Sequence, residues 1–351
     1  ASSSAPVPSA RRSGRSIGVP GVMRMLEMAH NEHGKLKWNQ LFDNSVQLAE
    51  GGFKVPGRLA AAIQSNAASL ALDANAVKTY FHPDGTAYAV GETMTNQDYA
   101  RTIRTIAANG AQAMYSGPIA QAIVNKAQQS VGDDAAKTPI TPSLMTLNDL
   151  SNYQAKKRDA ICFTYRSQYH VCTMPPPSSG GIAVAQTLGI LENFDLASYA
   201  PTQPENEGGV PSVMGVHLVS EAERLAYADR DKYVADTDFV ALPAQGISSM
   251  IDKAYLKKRA GLINTEKSMG VATAGDFNSS AAIDKTVEHG TTQFTIVDAY
   301  GNVVSMTSTV ESSMGSFHMV DGFLLTNQLT DFSAQPMDSS GNLVANRVQP
   351  N

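Results

Sequence analysis

The sequence predicts an α+β fold in which helices and antiparallel hairpins share one chain. Helical apolar spacing recurs between Val22 and Ala235, strict alternation marks two short stretches, and Gly, Pro and Asn punctuate the boundaries. At 351 residues, 42% hydrophobic and 17% charged, the chain can bury a core and form one large or two ordinary domains.

The helices follow in order. Val22 to His30 is Met-rich and amphipathic, closing near Gly34, and Trp38 to Glu50 ends at Gly51-Gly52. Arg58 to Leu72 comes next, then Gln97 to Asn109, stopped by Gly110, and Pro118 to Val131 with proline near its start. Ile182 to Glu192 reads as a buried helix. His217 to Ala235 is longer, with Leu218, Ala222, Leu225, Ala226 and Tyr233 on its apolar side. Residues 201–212 form a polar loop, and the small polar stretch 266–290 reads as a flexible linker. The first 16 residues are rich in Ser, Ala, Pro and Arg and lack the apolar stretch of a signal peptide as written.

Composition excludes several functions. A net charge of −5 argues against a nucleic-acid or anionic-membrane binder, and no apolar run approaches the ~18–20 residues of a membrane span. Two cysteines exclude a disulfide scaffold and a multi-Cys zinc module, and one Trp argues against a stacking platform. The seven histidines are scattered. His30 and His33 sit three apart at a helix end, where a solvated face outweighs a metal site.

Asp159 to Thr173 alternates like two strands. With Arg166-Ser167-Gln168 as the turn, Cys162 and Cys172 are equidistant from it and face each other. A bridge there implies an oxidising compartment; two reduced, half-buried thiols are the alternative.

The most informative stretch runs from Glu288 to Asp298, followed by a turn and a second strand from Val303 to Val310. With Ala299-Tyr300-Gly301 as the hairpin loop and Gly301 left-handed, Asp298 pairs with Asn302, Thr295 faces Ser305 and Thr291 faces Thr309. A slip of one residue would pair Thr292 with Thr309 instead. Cross-strand threonine pairs are common in sheets. Here, though, Thr291 opens its strand directly after Gly290, and polar residues Glu311-Ser312-Ser313 follow the second strand. A threonine hydroxyl is a weak nucleophile unless a base sits beside it. A cut before Thr291 would create one, an α-amine titrating near ~7.7–8.0.

With these residues in view, the chain resembles the gamma-glutamyltransferases (gamma-glutamyl transpeptidases), which are N-terminal-nucleophile hydrolases. Thr291-Thr292-Gln293 with Val297-Asp298 and Gly301-Asn302 is similar to the family's Thr-Thr-His strand and Gly-Asn turn. Met174-Pro175-Pro176-Pro177-Ser178-Ser179-Gly180-Gly181 resembles its signature loop; read alone, this Gly-Gly before a helix is also a possible phosphate nest, without the Lys or spacing of a P-loop. His217, Glu221-Ala222 and Ala226 to Arg230 resemble its long-helix signature, and Leu325 to Ser333 its Asn-Asn-x-Met-Asp-Asp-Phe-Ser segment. The resemblance runs from about Gly18 to about Val348.

The resemblance implies roles residue by residue. Thr291 is the nucleophile for self-cleavage of the Gly290–Thr291 bond and for acyl transfer, and Thr309 hydrogen-bonds near it. Glu311, Gln328 and Asp331 receive the α-ammonium of a γ-glutamyl donor, whose three N–H donors suit carboxylate and amide oxygens. By itself Asp331 reads as a turn cap, and His289 as a loop histidine. Gln293, Glu311, Thr326 and Thr330 depart from the common family residues, which leaves the donor open.

The same resemblance implies a four-layer αββα sandwich in a single domain. Residues 1–17 would be a flexible N-terminal segment, 18–290 a large-subunit-like part, and 291–351 an intertwined small-subunit-like part that begins at the nucleophile. No metal or organic cofactor is implied. The expected substrates are a small γ-glutamyl donor such as glutathione and an amino-acid, peptide or water acceptor, in a periplasmic or secreted protein. Its large and small subunits come from one precursor, with no nucleic-acid partner and no membrane span. The donor-binding Arg is expected before Ala1, and the Ser-Ser pair and oxyanion-hole Gly-Gly after Asn351. This chain is therefore expected to stay largely uncut and inactive, while the full-length form splits. A glutaryl or cephalosporin-type acylase and a non-catalytic degenerate relative are the competing expectations.

Overall fold

A computed structural model describes residues 9–286 and 291–348. Helices and antiparallel strands are mixed, as expected. Among the described residues the strands pair as four two-stranded sheets. The chain divides into two compact units, Ala1–Lys156 with Val287–Asp331, and Lys157–Thr286 with Phe332–Asn351.

The first unit is built on helices whose boundaries follow local chemistry. Val22–His33 ends at Gly34, and Gln97–Asn109 starts where the Asn96 side chain accepts from the Tyr99 N–H at 2.9 Å and stops at Gly110. Pro118 opens Pro118–Ala127. The stretch from Trp38 departs from expectation: it begins as a 3₁₀ turn, Trp38–Phe42, before the α-helix Asp43–Gly51. The Trp38 indole donates to the Ile106 carbonyl at 3.1 Å, which holds that turn on the neighbouring helix. Ile103, Ile106, Tyr115, Ile123 and Leu150 are buried together, each contributing on the order of 1.5–3 kcal/mol. The segment Met314–Leu325 threads into this unit. Val320 and Leu325 join that core, while Met314, Phe317 and Met319 pack on Ile63 and Leu70. Buried Asp73 clamps the segment further: it accepts from the Met319 N–H at 3.1 Å and from Lys126 Nζ at 2.9 Å. Residues 9–17, part of the expected flexible N-terminal segment, include a 3₁₀ turn at Gly14–Ser16 with Ser13, Ser16 and Ile17 buried.

The second unit packs the helices Gly180–Leu191, Val213–Tyr233 and Lys253–Ala260 through Ile190, Leu218, Leu225 and Leu256. Every residue expected on the apolar side of the long helix is buried. Buried polar groups in this interior converge on Asp229, although Gln186 Oε1 and Arg259 Nε find no partner among the described residues. Asp229 accepts from the Tyr255 hydroxyl at 2.5 Å, the Gly275 N–H at 2.7 Å, Gln186 Nε2 at 3.0 Å and Arg259 at 3.2 Å. Burial, and the charge of Asp229 beside it, push the Tyr255 phenol far above its ordinary value. Residues 266–286 are not a free linker. Glu221 accepts from Ser268 Oγ at 2.6 Å and the Met269 N–H at 2.8 Å, and Ala282 N–H donates to the Leu343 carbonyl at 2.9 Å. A small polar composition resembles a linker until acidic side chains from a helix satisfy its backbone.

The cysteine hairpin pairs Ile161–Tyr165 with Tyr169–Thr173 and sets Cys162 opposite Cys172. The two are bridged, with Cα atoms 4.1 Å apart. Arg166 and Ser167 both have positive φ, 50° and 54°, the tight-turn geometry that matches strand twist.

Candidate active site

The reactive hairpin pairs Thr292–Val297 with Val303–Ser308 in the expected register: Thr292 faces Ser308, Thr295 faces Ser305 and Val297 faces Val303. The turn explains the register. Gly301 has φ 84°, a left-handed value that a Cβ disfavours, and Asp298 Oδ1 accepts from the Tyr300 and Asn302 N–H groups at 2.9 and 2.8 Å. The hydrogen bonds from Asn302, side chain first and then backbone, hold the Asp298 carboxyl below its ordinary range. The next step beyond Thr292 and Ser308 is Thr291 and Thr309. The alternative register is thereby excluded.

Alternation separates the hairpin into two faces. Phe294, Ile296, Val304 and Met306 share one. Gln293, Thr295, Ser305 and Thr307 share the other, the side to which Thr291 and Thr309 belong by parity. Gln293 Nε2 donates to Thr295 Oγ1 at 2.8 Å and Ser305 Oγ at 2.9 Å, so the residue that departs from the family's His ties the polar face together.

Thr309 leads directly to Glu311. Its Oγ1 accepts from the Glu311 N–H at 2.7 Å. Glu311 has φ 74°, an uncommon value for a residue with a side chain, and is 4% exposed. Its carboxylate accepts from Ser312 Oγ at 2.5 Å and from Asn327 Nδ2. Asn327, 1% exposed, also accepts from the Ser312 N–H at 3.1 Å and donates to Thr330 Oγ1 at 3.1 Å. Its neighbour Gln328 donates through Nε2 to the Asp331 carboxylate within the turn Gln328–Asp331. Thr309, Glu311, Asn327, Gln328 and Asp331 thus form one connected run in the first unit. Gly315, at φ 52°, turns the chain so closely that a Cβ would lie 2.3 Å from the Leu325 carbonyl oxygen.

Sequence reasoning missed two members of this neighbourhood. Asn327 is the internal partner of Glu311; the signal was the amide pair Asn327-Gln328 inside an otherwise apolar-and-threonine stretch. Arg11 stacks over the Phe317 ring at 4.0 Å and donates Nε to the Gly315 carbonyl at 2.9 Å. Burial pulls its guanidinium below the ordinary value while Glu311 pushes it back up. No local sequence pattern links residues so far apart. Thr291 itself is exposed, whereas Gly290, the other side of the expected scissile bond, and His289 lie outside the described residues.

A model of the gamma-glutamyltranspeptidase family matches residues 2–351. The glutathione hydrolase proenzyme of Bacillus subtilis (strain 168) is 35% identical over 96% of this chain and 54% of its own length. That of Escherichia coli (strain K12) is 33% identical over 91% and 50%. The acylase ACY 1 proenzyme of Pseudomonas sp. (strain V22) is 32% identical over 92% and 52%. The chain therefore spans about half the length of the curated relatives it matches. Among solved structures, the Helicobacter pylori gamma-glutamyltranspeptidase superposes with TM-score 0.65 at 28% identity, over 76% of this chain and 71% of that one. A Bacillus halodurans cephalosporin acylase gives TM-score 0.72 at 23% identity, over 94% and 55%, a likeness of fold alone.

Proposed function

This chain belongs to the gamma-glutamyltranspeptidase family, and from that premise we propose that Thr291 is the nucleophile of a γ-glutamyl acyl transferase and hydrolase. The observation that carries the reading is the hairpin register, whose last pair, Thr292 with Ser308, supports position 291 lying across from Thr309, itself hydrogen-bonded to Glu311 and on to Asn327.

In the precursor, Thr291 Oγ attacks the Gly290 carbonyl and the acyl group moves from N to O. Water hydrolyses that ester and frees the Thr291 amine. The amine then takes the proton from its own hydroxyl as Oγ attacks the γ-carbonyl of a glutathione-like donor. A γ-glutamyl ester forms and the donor amine leaves; water, an amino acid or a peptide resolves the ester. Glu311, Gln328 and Asp331 receive the donor ammonium. The run that ties the Glu311 carboxylate to Asn327 and the Asp331 carboxylate to the neighbouring Gln328 supports this assignment, because charge-assisted bonds are the strong ones. Autocatalysis divides the chain into a part ending at Gly290 and a small-subunit part from Thr291, intertwined as the alternation of segments between the two units supports. The fold of the complete protein is the four-layer αββα sandwich. The apolar face of the reactive hairpin, with Ile296 58% and Val304 55% exposed, is the kind of surface such a sandwich buries. The protein is periplasmic or secreted, a reading that the cross-strand disulfide supports. No helix among the described residues is long and apolar enough to cross a membrane.

A second reading, a glutaryl or cephalosporin-type acylase, draws on the acylase named among the relatives. Hydrolysis of γ-glutamyl-p-nitroanilide against a glutaryl amide by the full-length protein decides. Faster turnover of the γ-glutamyl substrate is expected; a preference for the glutaryl amide overturns the first reading, and labelling of Thr291 by neither class of acylating analogue overturns both.

A further inference from the structure

The cysteine hairpin lies outside the acyl-transfer reading and presents a second set of reactive groups. Cys162, Cys172 and His170 point to the same exposed face, because His170 and Cys172 are two apart on one strand and Cys162 is the cross-strand partner of Cys172. Their ligand atoms all lie within 4.8 Å of one another. The opposite face is partly covered: Ile161 is buried, and the half-buried Phe163 packs with it against Ile182, Tyr233 and Met250. The tip is anchored independently of the bridge. The Arg166 N–H donates to the Glu192 carboxylate, the Arg166 guanidinium donates to the Phe194 carbonyl at 3.0 Å, and Lys253 Nζ donates to the Thr164 carbonyl at 2.9 Å. These anchors hold the strand backbone, and so the three ligand positions, when the disulfide opens.

We propose that the reduced hairpin is a binding site for a thiophilic divalent cation, Zn²⁺ best of all, held by the thiolates of Cys162 and Cys172 and the imidazole of His170. A dithiol reductant opens the bridge by thiol–disulfide exchange. The S–S bond breaks, two cysteine thiols form, and the reductant leaves as its own disulfide, having supplied two electrons and two protons. Metal binding then displaces one proton from each thiol, while neutral imidazole donates a ring-nitrogen lone pair. Zn–S bonds of about 2.3 Å and Zn–N bonds of about 2.0–2.1 Å in a tetrahedron require ligand atoms roughly 3.4–3.8 Å apart. The two sulfurs, bonded while the bridge is closed, separate on reduction, and the imidazole nitrogen starts from within 4.8 Å of them. The fourth position faces solvent and takes water. The same residue pair is thus cross-linked in either state, by sulfur when oxidised and by metal when reduced.

The test uses the whole chain and Co²⁺ as a spectroscopic stand-in for Zn²⁺. After reduction with a phosphine and anaerobic removal of the reductant, one Co²⁺ per chain should bind with a thiolate-to-cobalt charge-transfer band, and one equivalent of Zn²⁺ should bleach it. The oxidised protein, Cys162→Ser and Cys172→Ser should give no such band. His170→Ala should weaken binding at least about tenfold, since losing even an outer-shell partner costs on the order of 10- to 100-fold. His170 is exposed, so this variant should keep the wild-type far-ultraviolet circular dichroism, which checks that it folds. A reduced wild type without the band, a band that survives in either serine variant, or unchanged affinity in folded His170→Ala overturns the proposal.

Discussion

Two hairpins of nearly equal length differ in whether one face is covered. In the cysteine hairpin, Ile161 is 4% exposed and packs with the half-buried Phe163 against helices. In the reactive hairpin, Phe294, Ile296, Val297, Val303 and Val304 are 41–65% exposed. Both adopt the register that their turns dictate. Register is a local property, set by loop length, turn residues and alternation. Burial is not local, and a two-stranded ribbon by itself is marginal in water. This hairpin keeps its shape through Asp298, Gly301 and the Gln293 ladder, while its proposed chemistry draws on the buried Glu311 and Asn327 of the segment that follows it.

The sharpest break of that contrast is at Thr291. Thr291→Ala in the full-length precursor should abolish cleavage before residue 291 altogether, read as an intact mass after long incubation; a precursor that still splits there removes Thr291 from the nucleophile role. Next in size is a matched pair in the present chain. Ile161→Ala should cost about 2–5 kcal/mol in denaturant unfolding, the range for truncating a buried aliphatic. Ile296→Ala should stay within about 0.5 kcal/mol. Equal costs would mean that the reactive hairpin is covered in solution.

The disulfide comes third. Replacing both Cys162 and Cys172 with Ala opens a loop of sequence separation 10 and should lower stability by roughly 2–3 kcal/mol. An unchanged midpoint would make the packed face sufficient without the bridge. Of similar or smaller size is Asp331→Asn in the full-length enzyme. Loss of one charge-assisted bond, about 1.5–3 kcal/mol, should raise KM and lower kcat/KM by roughly ten- to a hundred-fold. Unchanged kinetics would return Asp331 to a turn cap.

The smallest effect belongs to His318, in the segment that anchors the reactive hairpin. Burial holds this imidazole below its ordinary value, and its Nε2 lies 2.9 Å from the Arg12 carbonyl oxygen. The unfolded chain takes up a proton near ~6.5 that the folded site resists, so stability should fall as pH drops below that value. The contribution is at most about 1.4 kcal/mol per pH unit. His318→Gln should flatten the slope between pH 7 and 5; an unaltered slope would mean that other groups set it.

Much of this molecule was legible before folding. The Gly34 and Gly110 stops, the Pro118 start, the apolar side of Val213–Tyr233 and the pairings Cys162–Cys172 and Thr295–Ser305 are all short-range consequences of capping, period and turn chemistry. The nucleophile candidate and its strand partner belong to this class too, as did the γ-glutamyl family likeness, because its motifs are contiguous. The rest needed three dimensions. Residues 266–286 read as a linker until Glu221 tied them to the long helix, Asn327 became a partner of Glu311 only when the Met314–Leu325 segment folded inward, and His170 became a neighbour of both cysteines only across the strands. Sequence by itself determined what depends on residues within a turn or two of each other; tertiary structure decided which polar groups are taken out of water together, since burial and its hydrogen bonds join residues that the chain keeps far apart.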